Sequence, residues 1–244
     1  LVLDLASNMV VEGRNQGQYY PDYAYRHPLF SPGMRIYSDS TVSKFLSSVK
    51  DEQIAGFLND WNTDRDHKSR IYVSYDSTNK NCQAGDVDFV EFGKAKVDLG
   101  LPIFNVGLAM DQNNRIPLFY ELYPGSINDV SQFKFMVDKA VGYGYKNIGF
   151  IIDRGYFCKA NIRYMDEKNY GFVMMVKGCK PLVCAIIDEH RGTFETRRAG
   201  SIAGHHIHGT TVKRKLFPDD ERERYLHLFF SPVKMMKERC RLED

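Results

Sequence analysis

A mixed α/β sheet with helices packed against it is the fold this sequence predicts, and three observations predict it. Three stretches in the first half have strand composition, the second and third joined as a hairpin. Beyond them, apolar strands alternate with amphipathic helices, and a final segment turns β-rich again. With 43% hydrophobic and 26% charged residues, the 244-residue chain has the material for one large buried core.

Residues 1–30 include "GRNQGQYYPDYAYRHPLF", dense in Tyr, Asn, Gly and Pro, which predicts irregular, connecting structure. Ser38–Asn62 predicts a helix, because Val42, Phe45, Leu46 and Val49 recur at helical spacing behind Ser and Thr residues that can cap. At "RIYVSYD" (Arg70–Asp76) the period changes to that of a β-branched and aromatic strand. "LPIFNVGLAMD" and "RIPLFYELYPG" follow, and the turn-type "QNN" between them predicts a hairpin. After the turn "PGSIND", "VSQFKFMVDKAVGYG" predicts a helix capped by Asp129 or Ser131.

"KNIGFIID" predicts a strand buried on both faces. "FCKANIRYMDEKN" predicts a helix, "YGFVMMVKG" another buried strand, and "PLVCAIIDEHRG" a further helix. "GTFETRRAGSIAGHHIHGTTVKRKLF" alternates weakly and predicts β structure, "ERYLHLFFSP" one more strand, and "VKMMKERCRLED" the start of a helix. A strand, a hairpin and then α-β-α-β-α predicts a mixed sheet with helices on both faces. Ribonuclease-H-like folds have that order. The expected division is an N-terminal connecting and helical region (1–69), a ribonuclease-H-like core (70–190), a β-rich insertion (191–232) and the start of a truncated helix (233–244).

Composition narrows the function classes. No stretch approaches the ~18 apolar residues of a membrane span, and "LVLDLASNMV" has neither the basic region nor the cleavage site of a signal peptide. Five irregularly spaced cysteines argue for reduced thiols and against a disulfide framework, which fits a cytoplasmic location. The net charge of +2 is unevenly spread: residues 151–244 carry 18 Lys+Arg against 13 Asp+Glu, and residues 1–150 carry 15 against 18. The basic end favours an anionic partner such as nucleic acid. The sequence starts without Met and stops at "CRLED" inside a charged helical run, so a piece of a longer chain is expected.

Two predicted strands end on an aspartate, Asp76 in "YVSYD" and Asp153 in "GFIID". Strand-terminal Asp residues serve as turn formers and helix caps. They also serve as ligands, because open α/β sheets bind at the carboxyl ends of their strands. If the two strands are neighbours, the carboxylates emerge together and repel unless a cation lies between them. Hard oxygen donors of this kind select Mg²⁺ or Mn²⁺. The spacing alone leaves both readings open.

"YDSTN" (Tyr75–Asn79), "GLAMDQNNRIPLFYELYPGSINDVSQF" (Gly107–Phe133) and "IIDRGYFCKANIRYMDEKNYGFVMMVKG" (Ile151–Gly178) together resemble the catalytic domain of a bacterial insertion-sequence DDE transposase. The type resembled is the one with a β-rich insertion, the IS-four group. The resemblance implies that Asp76 and Asp153 are the first two metal-binding acids of a two-metal Mg²⁺ or Mn²⁺ site. It also implies a third acid, a Glu within Tyr-x-x-Arg-x-x-x-Glu. Glu221, Glu223, Glu238 and Glu243 lack the Tyr and Arg at those offsets, so the chain is expected to end before that acid.

Four further residues are candidate DNA contacts. Thr78 is suited to a hydrogen bond near the metal or to a turn. Arg154 is suited to a DNA phosphate or to an internal ion pair. Tyr156 is suited to stacking on a base or to the core edge, and Lys177 to a phosphate or to a solvated strand end. Gly155 is expected to permit a tight strand-to-helix turn. The cluster His205, His206, His208 with Cys179 and Cys184 does not fit zinc-finger spacing.

By resemblance the partners are DNA, as terminal inverted repeats and target, and a second copy of the chain. The expected location is cytoplasmic, associated with the nucleoid through DNA. The expected activity is DNA strand cleavage and strand transfer. The alternatives are a truncated or decayed non-catalytic DNA-binding relative, and another ribonuclease-H-like nuclease.

Overall fold

The structure, a computed structural model, describes residues 1–13, 17–85 and 87–243. The N-terminal region is helical where the sequence predicts irregular structure. Helix α1 (Val2–Glu12) ends at Gly13, whose φ of 66° suits glycine, and α2 spans Tyr20–Arg26. Tyr20, Tyr23 and Ala24 stand at helical spacing and are buried against Val42 of α3 (Asp39–Ser48). Tyr and Pro density hid that period. Arg14, Asn15 and Gln16, within the same predicted stretch, lie outside the described residues.

The single helix expected over Ser38–Asn62 is two, α3 and α4 (Asp51–Thr63). Val49 is extended between them, and the Gln53 side chain accepts from the Lys50 N–H at 2.9 Å to start the second helix.

Strands β1 (Ile71–Asn81), β2 (Ile103–Asp111), β3 (Ile116–Pro124), β4 (Ile148–Ile152) and β5 (Gly171–Met174) form one sheet in the order β3-β2-β1-β4-β5. The β1–β2 and β2–β3 pairs are antiparallel, whereas β1–β4 and β4–β5 are parallel. This is the ribonuclease-H-like order. Helix α5 (Asp129–Gly142) connects the hairpin to β4, and α6 (Lys159–Glu167) connects β4 to β5.

Two strand expectations and one helix cap change. First, β1 does not stop at Asp76 but continues to Asn81, because β2 pairs with it from Val73 to Asn81 while β4 reaches only Tyr75. Second, β5 is a short edge strand, not a buried one, and Val173 on it is 59% exposed. Third, the predicted cap of α5 is neither Asp129 nor Ser131: the Asn128 side chain accepts from the Ser131 N–H at 3.0 Å.

The core lies on one face of the sheet. Ile71, Val73 and Tyr75 of β1, Ala109 of β2, and Ile148, Phe150 and Ile152 of β4 pack on Leu58 of α4, on Phe133, Met136, Val137 and Ala140 of α5, and on Met165 of α6. Each such side chain contributes roughly 1.5–3 kcal/mol on full burial. A buried polar node ties α4 to this core. Asn62 donates to the carbonyls of Leu58 (2.8 Å) and Leu118 (2.9 Å), and Tyr145 donates its hydroxyl to the Asn62 Oδ1 (2.8 Å).

The opposite face of the sheet is the more open one. Leu108 and Ile151 are about two-fifths exposed there, at 41% and 39%.

Beyond α7 (Lys180–His190), a second, antiparallel sheet runs β6 (Ser201–Ile202), β7 (Ile207–Arg214) and β8 (Arg224–Phe230), followed by α8 (Pro232–Glu243). All five cysteines are free. No described helix is long and apolar enough to cross a membrane.

Candidate active site

Asp76 stands midway along β1, where the parallel partner ends. Alternation turns Tyr75 inward, at 2% exposure, and Asp76 outward. Tyr75 pairs with Ile152 in the β1–β4 ladder, so the next position of each chain carries an acid, Asp76 on β1 and Asp153 just past β4. The parallel pairing thus brings both residues to the point where the β1–β4 ladder ends. Both are exposed, and neither has a Lys or Arg partner among the described residues. Asp76 Oδ1 accepts from the Ser77 N–H at 2.8 Å.

Asp153 precedes a single 3-10 turn, Arg154–Tyr156, that leads to α6. Gly155 does not adopt a left-handed conformation there. A Cβ placed on it would make ordinary contacts, 3.6 Å from Asp129 Oδ2 and 3.8 Å from Asp153 Oδ2. The turn therefore does not require glycine for space, contrary to expectation.

Thr78 shares the outward face of β1 with Asp76 and is exposed. The Arg154 side chain is exposed and has no partner among the described residues. Lys177 is exposed and lies three residues past the end of β5, not at its end, yet at the same end of the sheet because β4 and β5 are parallel.

Tyr156 does not join these residues. It is 1% exposed, edge-on to Tyr75 at 5.5 Å between ring centroids and tilted against Phe133 at 6.1 Å. A ring enclosed in the core cannot stack on a base, so the DNA contact expected of it is withdrawn. Burial pushes the phenols of Tyr156 and Tyr75 well above the usual tyrosine range.

One further acid, which the sequence marks only as a helix-cap candidate and as the Asp of the turn after the hairpin, reaches this site. Asp129, in the turn "PGSIND", accepts at Oδ1 from the hydroxyls of Ser77 (2.7 Å) and Tyr123 (2.9 Å). Burial pushes the Tyr123 phenol up, and its hydrogen bond to Asp129 adds to that rise. The fixed position of Asp129 after "PG" was the available signal. The segment before β2 also reaches this end of the sheet, where Lys96 donates its Nζ to the Ser77 carbonyl at 2.8 Å.

Two exposed carboxylates without basic partners among the described residues, one midway along β1 and one just past the end of its parallel neighbour β4, form a donor set that suits a hard divalent cation. Among the described residues, no group of three His, Cys, Asp or Glu is arranged to hold a metal ion.

Comparisons with known proteins bear on the family. No curated protein matches the sequence. Among solved structures, a Mos1 transposase paired-end complex with left transposon end is similar at 12% identity and a TM-score of 0.30, covering 77% of this chain and 64% of that one. A piggyBac transposase synaptic complex with hairpin DNA is similar at 9% identity and a TM-score of 0.45, covering 93% and 49%. A Drosophila P element transposase strand transfer complex is similar at 13% identity and a TM-score of 0.37, covering 75% and 42%. The chain thus spans about two-thirds or less of these proteins, and likenesses so remote assign no residue a role. The family described as "Transposase DDE domain" matches residues 75–225, from the residue before Asp76 into β8. Matched over more than half its length, the chain belongs to the transposase DDE domain family.

Proposed function

We propose that this chain is the catalytic domain of a DNA transposase that cuts and joins DNA at the ends of a mobile element of the IS-four type. One observation carries the reading: Asp76 and Asp153 occupy the positions just beyond the paired residues Tyr75 and Ile152 on adjacent parallel strands. Membership of the family supports it.

In this reading Asp76 and Asp153 hold Mg²⁺ or Mn²⁺. When bound, the cation supplies Lewis-acid stabilisation of charge developing on a phosphoryl group. Arg154 and Lys177, both exposed and basic, meet phosphates of the DNA backbone and set its register. The Thr78 hydroxyl, two residues from Asp76 on the same face, hydrogen-bonds a phosphate oxygen beside the acids. Residues 70–190 form the catalytic core, and 191–232 an insertion. Two copies bridge two DNA ends.

The third acid is a Glu in Tyr-x-x-Arg-x-x-x-Glu, a pattern absent from these 244 residues. A relative that binds DNA without cutting it is the second reading that the test must separate from the first. The test is Mn²⁺-dependent nicking of plasmid DNA by the full gene product. The expectation is that Asp76→Ala and Asp153→Ala each reduce nicking by at least ~100-fold, more than the loss of a residue that merely orients a metal ligand costs. Unchanged nicking by either variant sinks the assignment. DNA binding with no nicking under any cation supports the second reading.

A further inference from the structure

Resting on the reading of Asp76 and Asp153 as cation-holding acids, we infer that Asp129 is the positioning residue that holds them in register. Its Oδ1 accepts two hydroxyls, Ser77 of β1 at 2.7 Å and Tyr123 of β3 at 2.9 Å. These strands are not neighbours, since β2 runs between them. One oxygen of Asp129 thus ties β1 to β3 across the intervening β2, one residue from the first acid.

Ser77 is the link to the first acid. Its Oγ donates to Asp129 while its backbone N–H donates to Asp76 Oδ1 at 2.8 Å. Locking the Ser77 side chain therefore fixes the peptide that orients the Asp76 carboxylate. The second oxygen of Asp129 is the link to the other acid. Asp129 Oδ2 and Asp153 Oδ2 both face Gly155, at 3.6 and 3.8 Å from where a Cβ on that residue would stand. Asp129 thus abuts the turn that carries Asp153.

Asp129 is the acid in the first turn of α5, which favours the helix dipole, but it is not the cap. Capping of α5 is done by Asn128, whose side chain accepts from the Ser131 N–H and hydroxyl at 3.0 and 3.1 Å. No Lys or Arg pairs with Asp129 among the described residues. Its mount is rigid. Phe133, Met136, Val137 and Ala140 of α5 are fully buried, and Asn105 donates to the carbonyls of Pro124 (2.8 Å) and Ile127 (3.1 Å), fixing the turn before the helix. A half-buried carboxylate supported in this way, between two acids, has the arrangement by which outer groups orient inner ligands.

The test is Mn²⁺ binding by the full chain, read by electron paramagnetic resonance of the free ion, with thermal unfolding followed in parallel. Asp76→Ala should abolish binding. Asp129→Ala should weaken it about tenfold, the usual scale for loss of an orienting partner. Asp129→Asn keeps an acceptor oxygen for both hydroxyls and should restore near wild-type affinity. Ser77→Ala should weaken binding in the same direction, and it decides the matter if Asp129→Ala does not fold.

Wild-type affinity in Asp129→Ala, or in Ser77→Ala where that variant must decide, overturns the inference. So does an Asp129→Asn variant as weak as Asp129→Ala, because charge and not placement would then matter. Wild-type affinity in Asp76→Ala overturns the underlying reading of the acids instead, which separates the two failures.

Discussion

Replacing Gly107 by alanine should unsettle the strand that carries Asp76 without touching the acid. Gly107 faces Ser77 across the β1–β2 ladder, on the core side, and its missing side chain is the space into which the Tyr75 ring leans. A Cβ there would lie 2.9 Å from Tyr75 Cε2 and closer still to Cζ and the hydroxyl oxygen. The ring has nowhere to go, because it is 2% exposed and packed edge-on to Tyr156. Overpacking of a filled core costs about 1–3 kcal/mol, and forcing the ring off its rotamer adds about 0.5–1.5 kcal/mol. We expect a destabilisation of about 3 kcal/mol, which lowers Tm by roughly 6–12 °C for a domain of this size. Differential scanning calorimetry measures it. A double-mutant cycle locates the cause: with Tyr75→Ala already present, Gly107→Ala should cost less than about 1 kcal/mol, since contacting residues couple by about 0.5–3 kcal/mol. A Gly107→Ala protein that melts with the wild type, or a cycle with additive effects, refutes the reasoning that Gly107 exists to seat Tyr75.

Two other predictions concern the core beneath the site. Asn62→Ala removes the node shared by Leu58, Leu118 and Tyr145 and leaves the Tyr145 hydroxyl without its acceptor, at a cost of about 1–3 kcal/mol; urea unfolding should show a lower midpoint at unchanged slope. Alkali should act through the buried phenols. Burial pushes Tyr145 up to about 12, against a lowering by the nearby Arg65 charge, while an unfolded tyrosine titrates near ~10. The folded state then holds its proton longer than the unfolded one, so this stability is complete below ~pH 10 and lost as pH rises towards 12. Tyr75, Tyr123 and Tyr156 are raised in the same direction, so Tm should fall steeply above ~pH 10, with tyrosinate absorbance at 295 nm rising as the protein unfolds. A Tm unchanged between pH 10 and 12 contradicts this.

The hairpin and the β-α-β-α alternation were legible because each rests on local pattern: "QNN" between two strands, and apolar runs of strand length. The true extent of β1 was not, because "DSTNKN" has the composition of a turn. Its strand character comes from partners far along the chain. Asn79 donates to the Lys94 carbonyl and accepts from the Lys96 N–H, and Asn81 does the same with Asp98. A polar strand end laced to a distant segment leaves no periodic trace in the sequence. Tyr156 misled in the opposite sense. Beside an acid and an arginine it resembles a surface aromatic, yet the 3-10 turn swings its ring under Tyr75 and Phe133. Asp129 was visible as a helix-start residue, but its two hydroxyl donors are 52 and 6 positions away, and only the sheet brings Ser77 to it.

The site is held open by the same alternation that closes the core. On β1 the last side chain beneath the helices is Tyr75 and the next residue is Asp76; on β4 the last is Ile152 and the next is Asp153. A slip of one residue in β1 would turn every side chain to the other face. Tyr75 would leave the core, forfeiting roughly 1.5–3 kcal/mol of burial, and Asp76 would enter it without a partner, at a further cost. Both penalties oppose the slip, so the packing of Tyr75 is what keeps the Asp76 carboxylate outward. Gly107, which admits that ring, and Asp129, which fastens the next residue, Ser77, act on either side of one strand position. Substitutions at these two residues should therefore couple in stability through β1, although one is packing and the other is a hydrogen bond.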